Sequence, residues 1–174
     1  MVIDNTASAP VALAKESLVY FLTTGRILPV PDEVPAALQG RAGTFVSLKK
    51  NGQLRGCIGT FQPTKPDIAT EIIHNAISAG TQDPRFPPVK PEEIPELTIS
   101  VDILEQPEQI DSLLELNPER YGVIVTKGRR SGLLLPMLEG VNTAEEQVSI
   151  AMQKGGIHPD EEIDLYRFTV TRYT

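Results

Sequence analysis

The chain has only one cysteine, and it has no apolar run long enough to cross a bilayer. A single cysteine cannot form an intramolecular disulfide, which excludes the disulfide-rich scaffolds of small secreted proteins. A membrane-spanning helix needs about 18 or more consecutive apolar residues. Residues 1–5 have no basic n-region and no apolar h-region, so they do not predict a signal peptide. We therefore expect a soluble, cytoplasmic protein that does not associate with membranes.

The chain also has fewer basic than acidic residues. There are 16 lysines and arginines against 23 acidic residues, which gives a formal net charge of −7. A large nucleic-acid surface needs the opposite balance, although a local basic patch remains compatible with it. The glycine-rich phosphate loops of Rossmann and Walker type are absent, and so are C-x-x-C and H-x-x-x-H spacings. The sequence therefore predicts no nucleotide loop and no metal site.

The size and composition are those of one ordinary globular domain. The chain has 174 residues, of which 40% are hydrophobic and 22% charged. A chain of this length buries enough surface to fold without a disulfide or a metal. No repeat, low-complexity tract or flexible linker is visible. We expect residues 1–174 to form a single domain, with two lobes packed together.

Apolar residues at three-to-four spacing predict three main helices, over residues 10–23, 66–80 and 144–154. Pro10 suits the first turn of the first helix, and Gly25 suits its end. Two pairs at capping-box spacing, Thr64 with Asp67 and Thr143 with Glu146, precede the other helices. A short helical turn is expected near residues 35–38, and a short helix over 111–117.

Strand signals are more numerous than helix signals. Strands are predicted over residues 43–49, 54–61, 96–104, 121–127, 133–135 and 163–173. Asn51-Gly52 predicts a type I′ turn between the first two, because both central positions of that turn need a positive φ. The hairpins favour an α+β fold with a mainly antiparallel sheet, flanked by about three main helices.

The segment 54–61 (LRGCIGTF) concentrates unusual residues around the only cysteine. In a regular strand Arg55 and Cys57 lie on the same face, and glycines such as Gly56 mark a bulge or a close approach of another backbone. Cys57 is either a nucleophilic or redox-sensitive thiol, activated by Arg55, or a small buried apolar residue. A Cys-His pair would require His74 or His158, and neither spacing is diagnostic.

Two other segments carry charge in a constrained setting. Residues 83–89 (DPRFPPV) contain three prolines, which make a stiff, extended segment. Asp83 and Arg85 in it form either a binding pair or a salt bridge that pins the loop. The loop that holds Arg129 and Arg130 either binds a phosphate or an RNA backbone, or is an exposed hairpin loop that protects a sheet edge.

Four segments in this order resemble the motifs of the AMME chromosomal region gene 1 (AMMECR) domain family: residues 54–61 (LRGCIGTF), 83–89 (DPRFPPV), 96–101 (ELTISV) and 130–136 (RSGLLLP). The resemblance covers nearly the whole chain. Members often carry a tryptophan near the last helix and the final strand, and this chain has none, so packing there is expected to differ.

The resemblance implies two unequal lobes with antiparallel sheets and motif residues gathered near a cleft between the lobes. It also implies protein A of the AmmeMemoRadiSam system, whose other members are a Memo-like protein and a radical-SAM protein. It supplies no defined activity, cofactor or oligomeric state.

Three hypotheses follow. The chain is a binding or accessory component of that system, a small enzyme, or an RNA- or nucleotide-phosphate-binding protein that uses the Arg129-Arg130 loop. In the enzyme, Cys57 is the catalytic residue, arginines bind an anionic group, and Asp83 or Glu96 orients or titrates. The candidate binding residues are Arg55, Gly56, Asp83, Arg85, Glu96 and Arg130.

Overall fold

The computed structural model describes residues 8–174, so the signal-peptide expectation for residues 1–5 lies outside the described residues. The chain divides into two compact units. Among the described residues, the first contains residues 8–103 and Arg172–Thr174, and the second contains Leu104–Thr171. Residues 8–174 form two four-stranded sheets, and their strand pairs are antiparallel in the way that hairpin-rich sequences favour. The predicted α+β class is confirmed. No helix within residues 8–174 has the length and apolar character needed to cross a membrane.

In the first unit, one helix packs against a sheet and a second helix packs against the first helix. Its helices and the strands of its sheet are α1 (Ala9–Thr24), β1 (Thr44–Lys50), β2 (Gln53–Thr60), α2 (Ile68–Thr81), β3 (Leu97–Leu104) and the final strand β8 (Val170–Tyr173). The last residue of β3 and the first two residues of β8 belong to the second unit. The strand order is β2-β1-β3-β8, so β2 is an edge strand. Alternate residues of β1 and β3, such as Val46 and Val101, are buried in the same core cluster as Leu18 of α1 and Ile72 of α2.

The second unit packs one helix against the other sheet. Its elements are β4 (Glu108–Ile110), β5 (Gly122–Lys127), β6 (Arg130–Leu134), α3 (Ala144–Lys154) and β7 (Asp164–Phe168). The strand order is β4-β7-β5-β6. Val123 and Val125 of β5 form a core cluster with Val148, Ala151 and Met152 of α3. Gly132 lets this helix approach the sheet, because an added Cβ would overlap the Ala151 carbonyl.

The strongest local signals in the sequence are confirmed. Asn51 and Gly52 have φ values of 53° and 75°, as a type I′ turn requires. Gly25 ends α1 in the left-handed conformation, with φ of 70°. The hydroxyl of Thr143 accepts the Glu146 N–H, and the Glu146 carboxylate accepts the Thr143 N–H, which completes the predicted capping box.

Three predicted boundaries are wrong. The N-cap of α2 is Asp67, which accepts the Thr70 N–H at 2.7 Å, whereas the Thr64 hydroxyl donates to Glu71. The predicted helix over 111–117 is one turn of 3-10 helix, Leu113–Glu115, preceded by the unpredicted short strand β4. The C-terminal segment divides at Thr169, so that β7 and β8 belong to different sheets.

Candidate functional site

The β2 strand is irregular within the segment 54–61, which contains the only cysteine. Gly56 pairs with Leu48, but the next residue of β1, Lys49, pairs with Leu54, so Arg55 is the extra residue of a β-bulge. The prediction that Arg55 and Cys57 share a face assumed a regular strand, and the bulge removes that assumption. The two side chains accordingly have different partners.

Arg55 is held in an ion-pair network. Its Nε and Nη2 donate to the two carboxylate oxygens of Glu93 at 3.1 and 3.0 Å, and its Nη1 donates to the Pro87 carbonyl at 2.8 Å. Lys50 Nζ bridges Glu93 at 3.2 Å and Glu96 at 3.0 Å. The Arg55 hydrogen bonds, followed by that of the Lys90 N–H, lower the pKa of Glu93 to about 2. The charge of Arg55 is therefore neutralised by a residue that the sequence analysis did not select.

Both carboxylate oxygens of Asp83 accept hydrogen bonds at the edge of β2. Its side chain is only 2% exposed, and it accepts hydrogen bonds from the Cys57 N–H at 2.9 Å and the Arg85 N–H at 3.1 Å. The Arg85 guanidinium adds Nε and Nη2 contacts of 3.0 and 2.8 Å. Arg85, opposed by burial and helped by the Cys57 N–H, holds the pKa of Asp83 far below its usual range. Asp83 therefore holds these groups as an anion, and we refer to Asp83 with the Arg85 guanidinium as the Asp83 clamp.

The clamp covers both backbone polar groups of Cys57. Besides the N–H bound by Asp83, the Cys57 carbonyl receives a longer contact from Arg85 Nη2 at 3.4 Å. Edge strands expose such groups, and proteins cover them to prevent pairing with other chains. Asp83 and Arg85 thus occupy the place that another strand would take beside β2.

The Cys57 thiol is half-buried and faces a neighbouring hydroxyl. Its Sγ lies 3.2 Å from Ser47 Oγ of β1, its direct cross-strand partner. Ser47 pairs in turn with Ser100 of β3, which gives a row of small polar side chains across three strands. In the described part of the chain, no histidine, carboxylate or guanidinium side chain hydrogen-bonds to Cys57 Sγ. The base that would complete a cysteine catalytic site is thus not in contact with the thiol.

One further ion pair lies in the first unit. Asp102 of β3 has a side chain that is almost fully buried, and it receives Arg172 Nε at 2.7 Å and Nη2 at 3.0 Å. Its register places it two residues from Ser100, on the same sheet face. Burial opposes a raised pKa of Arg172, but the hydrogen bonds to Asp102 dominate and raise it. No local sequence pattern indicates this pair, because 70 residues separate its members.

Gly56 serves close packing. A Cβ at this position would overlap the backbone carbonyl of Ala79 near the end of α2, so glycine allows α2 to lie against β2. This geometry matches the expectation of a close backbone approach.

Glu71 is a second buried carboxylate that the sequence analysis did not select. It accepts the hydroxyls of Thr60 and Thr64 at 2.6 and 2.7 Å, and the N–H groups of Thr64 and Lys65 at 2.9 and 2.8 Å. Burial alone would raise the pKa of Glu71, but these hydrogen bonds reverse the effect and lower it. Glu71 therefore ties the segment after β2 to α2.

Arg130 is engaged within the second unit. Its Nη1 donates to Glu161 at 2.9 Å and to the Gly156 carbonyl at 3.0 Å, and its Nη2 also contacts Glu161. These hydrogen bonds lower the pKa of Glu161 to about 2. Arg129, next to it, is exposed. The predicted arginine loop thus has one of its two guanidinium groups committed to an internal partner.

Neither histidine hydrogen-bonds to the Cys57 thiol in the described part of the chain. His74 is half-buried in α2, where burial and then Lys65 lower its pKa. His158 lies in the second unit, where its Nδ1 accepts the Asp160 N–H at 3.3 Å. Within residues 8–174, no three His, Cys, Asp or Glu side chains converge so as to hold a metal ion.

The segment after Asp83 is the most exposed part of the motif region. We define the 84–88 loop as Pro84, Arg85, Phe86, Pro87 and Pro88. Phe86 is half-buried and the other four are exposed; the Arg85 side chain is 55% exposed and its Cζ lies 5.5 Å from the centre of the Phe86 ring. Both ends of the loop are held, by the Asp83 clamp and by the Arg55 contact to Pro87.

Comparisons with known proteins match nearly the full length of the chain. The model of the AMMECR1 family matches residues 11–173. A *Thermotoga maritima* protein is 53% identical over 156 residues, covering 88% of this chain and 90% of that protein. A *Clostridium acetobutylicum* protein is 52% identical, covering 94% of this chain but only 35% of that protein.

A solved structure extends this likeness to three dimensions. The crystal structure of an uncharacterised protein from *Pyrococcus horikoshii* matches with a TM-score of 0.85 and 35% identity. The match covers 94% of this chain and 88% of the *Pyrococcus* chain.

Proposed function

The chain belongs to the AMMECR1 family, and from this premise we propose that it acts as a binding module that docks on a protein partner. The observation that carries the proposal is the 84–88 loop. It presents three exposed prolines and an exposed arginine stacked on Phe86. A loop fixed before binding loses little conformational entropy on association, which favours affinity.

The anchoring of the loop supports a docking role over a catalytic one. Asp83 and Glu93 are each saturated by arginine and backbone donors, and both remain ionised at neutral pH because their pKa values are lowered. Their charges therefore hold the backbone in place and do not move protons. Arginine and aromatic side chains on a rigid support are typical of interface hot spots.

An enzyme that uses Cys57 is the second candidate. The half-buried thiol and its contact with Ser47 favour it. However, Arg55 donates to Glu93 and Pro87, and Asp83 is used by the Cys57 backbone and Arg85. The groups that would activate the thiol and bind a substrate are thus committed elsewhere.

RNA or phosphate binding is the third candidate. Both arginines are exposed, but the Arg130 guanidinium is held by Glu161, and the net charge of −7 is unfavourable. RNA binding that weakens steeply with salt and is lost on replacing both arginines by alanine would support this candidate.

The family resemblance suggests the identity of the partner. We propose the Memo-like protein or the radical-SAM protein of the AmmeMemoRadiSam system, acting with this chain in the cytoplasm as a single-domain accessory component. The *Clostridium* relative supports a modular role, because nearly two thirds of its length lies outside the matched domain.

Binding measurements with the purified Memo-like and radical-SAM proteins of the same genome test this proposal. We expect one of them to bind the wild-type chain, and we expect Arg85→Ala combined with Phe86→Ala to weaken that binding at least about tenfold. Arg129→Ala in the second unit is the matched control and should bind like the wild type. Circular dichroism and thermal unfolding should establish that each variant is folded.

Two results would contradict the proposal. One is the absence of binding by the wild-type chain to either partner at tens of micromolar, about the weak end of specific association. The other is unchanged affinity of the folded Arg85/Phe86 double variant, which would remove the loop from the interface.

A further inference from the structure

Burial along residues 86–91 (FPPVKP), which we call the 86–91 segment, repeats every third residue. Phe86 is half-buried and Val89 is buried, and the two residues that follow each of them are exposed. Residues 87–90 belong to no helix, strand or turn. A period of three residues is that of the left-handed polyproline II helix. The burial pattern therefore indicates one turn of that helix, with Phe86 and Val89 on its inner side.

Steric restrictions on the backbone produce the same geometry. A proline ring fixes φ at about −65°, and the residue before a proline is restricted to extended or polyproline II conformations. Every residue of the 86–91 segment except Val89 is a proline or precedes one. Lys90 has φ of −93° and ψ of 150°, close to the values of about −75° and 145° of a polyproline II helix. The prolines thus hold most of the segment in this conformation.

The inner side of the 86–91 segment is fixed to the first unit. The Pro87 carbonyl accepts Arg55 Nη1 at 2.8 Å, and the Val89 N–H donates to the Gly80 carbonyl at 2.7 Å. The Val89 side chain belongs to the core cluster of this unit. The segment is therefore ordered before any partner binds, so its conformation costs little entropy on association.

The outer side presents two ridges of exposed residues. In a polyproline II helix, residues three apart lie on one ridge, about 9 Å from each other. Pro88 and Pro91 form one ridge, and Pro87 and Lys90 form the next; all four residues are exposed. Proline rings at this P-x-x-P spacing are the feature that aromatic-lined grooves recognise in proline-rich ligands.

We propose that the 86–91 segment is a built-in polyproline II ligand, and that it docks in a groove of a partner protein lined by aromatic side chains. The inference rests on the proposed function, because the segment overlaps the 84–88 loop. The proline rings pack on the aromatic rings of the partner. The chain itself has no tryptophan and only 5% aromatic residues, so a second copy is less suited than a different protein to supply such a groove.

A titration of the full-length, isotopically labelled chain with N-acetyl-tryptophanamide tests the recognition of aromatic rings without any partner protein. We expect saturable shifts of the Val89 and Lys90 amide signals, with a Kd of about 1–10 mM for so small a probe. N-acetyl-leucinamide, the aliphatic control, should produce no saturable shifts. Replacement of both Pro88 and Pro91 by alanine should abolish the shifts that the tryptophan derivative causes.

Binding to the Memo-like and radical-SAM proteins separates a failure of this inference from a failure of the proposed function. We expect Pro88→Ala combined with Pro91→Ala to weaken the binding of the partner at least about tenfold. Pro29→Ala combined with Pro31→Ala, at exposed positions of the first unit, is the matched control and should bind like the wild type. Pro88→Ala alone is a milder variant, and circular dichroism should establish that each variant is folded.

Two results would overturn the inference. One is the absence of saturable shifts with the tryptophan derivative, or equal shifts in the folded Pro88/Pro91 double variant. The other is unchanged partner affinity of that variant while the Arg85/Phe86 double variant binds more weakly, which would keep the proposed docking loop but remove the proline ridge from the interface. Saturable shifts that Pro88 and Pro91 carry, without binding to either partner, would contradict the proposed partners and support the aromatic-binding ridge.

Discussion

The carboxylate of Asp83 accepts the backbone N–H of Cys57 at 2.9 Å, although 26 positions separate the two residues. This bond fixes the start of the 84–88 loop to the edge strand β2, and it satisfies a backbone group that the edge would otherwise expose. The hydrogen bond that a neighbouring strand would give is thus supplied by a side chain. A substitution that removes this hydrogen bond should therefore both destabilise the edge strand β2 and displace the 84–88 loop.

Replacing Asp83 by asparagine is expected to destabilise the first unit by about 2 kcal/mol, because several hydrogen bonds to a charged acceptor are weakened. Since the folded-state pKa of Asp83 lies below its ordinary value, the carboxylate contributes stability above about pH 4 and loses that contribution as the pH falls further. Urea unfolding at pH 7 and pH 3 should show a smaller difference between the two proteins at pH 3. Asp32→Asn, at an exposed position, is the control; equal effects of both substitutions at pH 7 would contradict the clamp.

Glu93→Gln tests the Arg55 network through its own pH dependence. The pKa of Glu93 is lowered from 4.5 to about 2, so its contribution is complete above pH 4.5 and disappears as the pH falls toward 2. We expect a loss of about 1–2 kcal/mol at pH 7 after allowing for solvent screening, shrinking below pH 4.5. The neighbouring Glu92→Gln should have little effect. A Glu93→Gln penalty that does not change between pH 7 and pH 3 would separate the stability effect from the ionised carboxylate.

Local sequence signals predicted most of the secondary structure because they act over a few residues. Asn51-Gly52 defines its turn through the φ values that the two residues tolerate, and Thr143 with Glu146 caps α3 within one turn. Strict alternation likewise predicted β3, whose bounds in the structure are Leu97–Leu104. Where two local signals competed, as at the N-terminus of α2, the sequence pattern chose the wrong cap.

The interactions that build the candidate site could not be predicted in this way. Arg55 and Glu93 are 38 positions apart, and nothing in their spacing identifies them as partners. The bulge at Arg55 depends on the register of β2 against β1, which the alternation of β2 alone does not define. The sequence around Glu71 is that of an ordinary helix. The four groups that donate to its carboxylate belong to the segment before α2, so the helix pattern does not indicate them.

Gly56→Ala tests the close approach of α2 to β2. The added Cβ would overlap the Ala79 carbonyl, and a backbone atom cannot move away as a flexible side chain can. We expect a loss of about 1–3 kcal/mol in the free energy of unfolding, as for overpacked cores. Gln53→Ala, at an exposed position of the same strand, is the control and should stay within about 0.5 kcal/mol. A Gly56→Ala variant as stable as the wild type would show that α2 is free to shift.

Glu71→Gln should loosen the segment that follows β2. The amide keeps one acceptor oxygen but carries no charge, so the charge-assisted hydrogen bonds from the Thr64 and Lys65 N–H groups are weakened, at a cost of about 1–3 kcal/mol. Hydrogen exchange should accelerate at the Thr64 and Lys65 amides, which donate to the carboxylate in the wild type. Amides of β5, in the second unit, provide the internal reference. Unchanged protection at Thr64 and Lys65 would mean that Glu71 does not hold this segment.

Cys57→Ser separates the docking proposal from the cysteine enzyme. Serine is smaller than cysteine and its hydroxyl can keep a hydrogen bond with Ser47, so we expect the stability to change by no more than about 1 kcal/mol. If the 84–88 loop carries partner binding, the affinity of this variant should equal that of the wild type, because Asp83 contacts the backbone and not the side chain of residue 57. Partner affinity measured together with thermal unfolding distinguishes the outcomes. A folded Cys57→Ser variant that binds at least tenfold more weakly would make the thiol part of the recognition surface, and the loop alone would no longer account for docking.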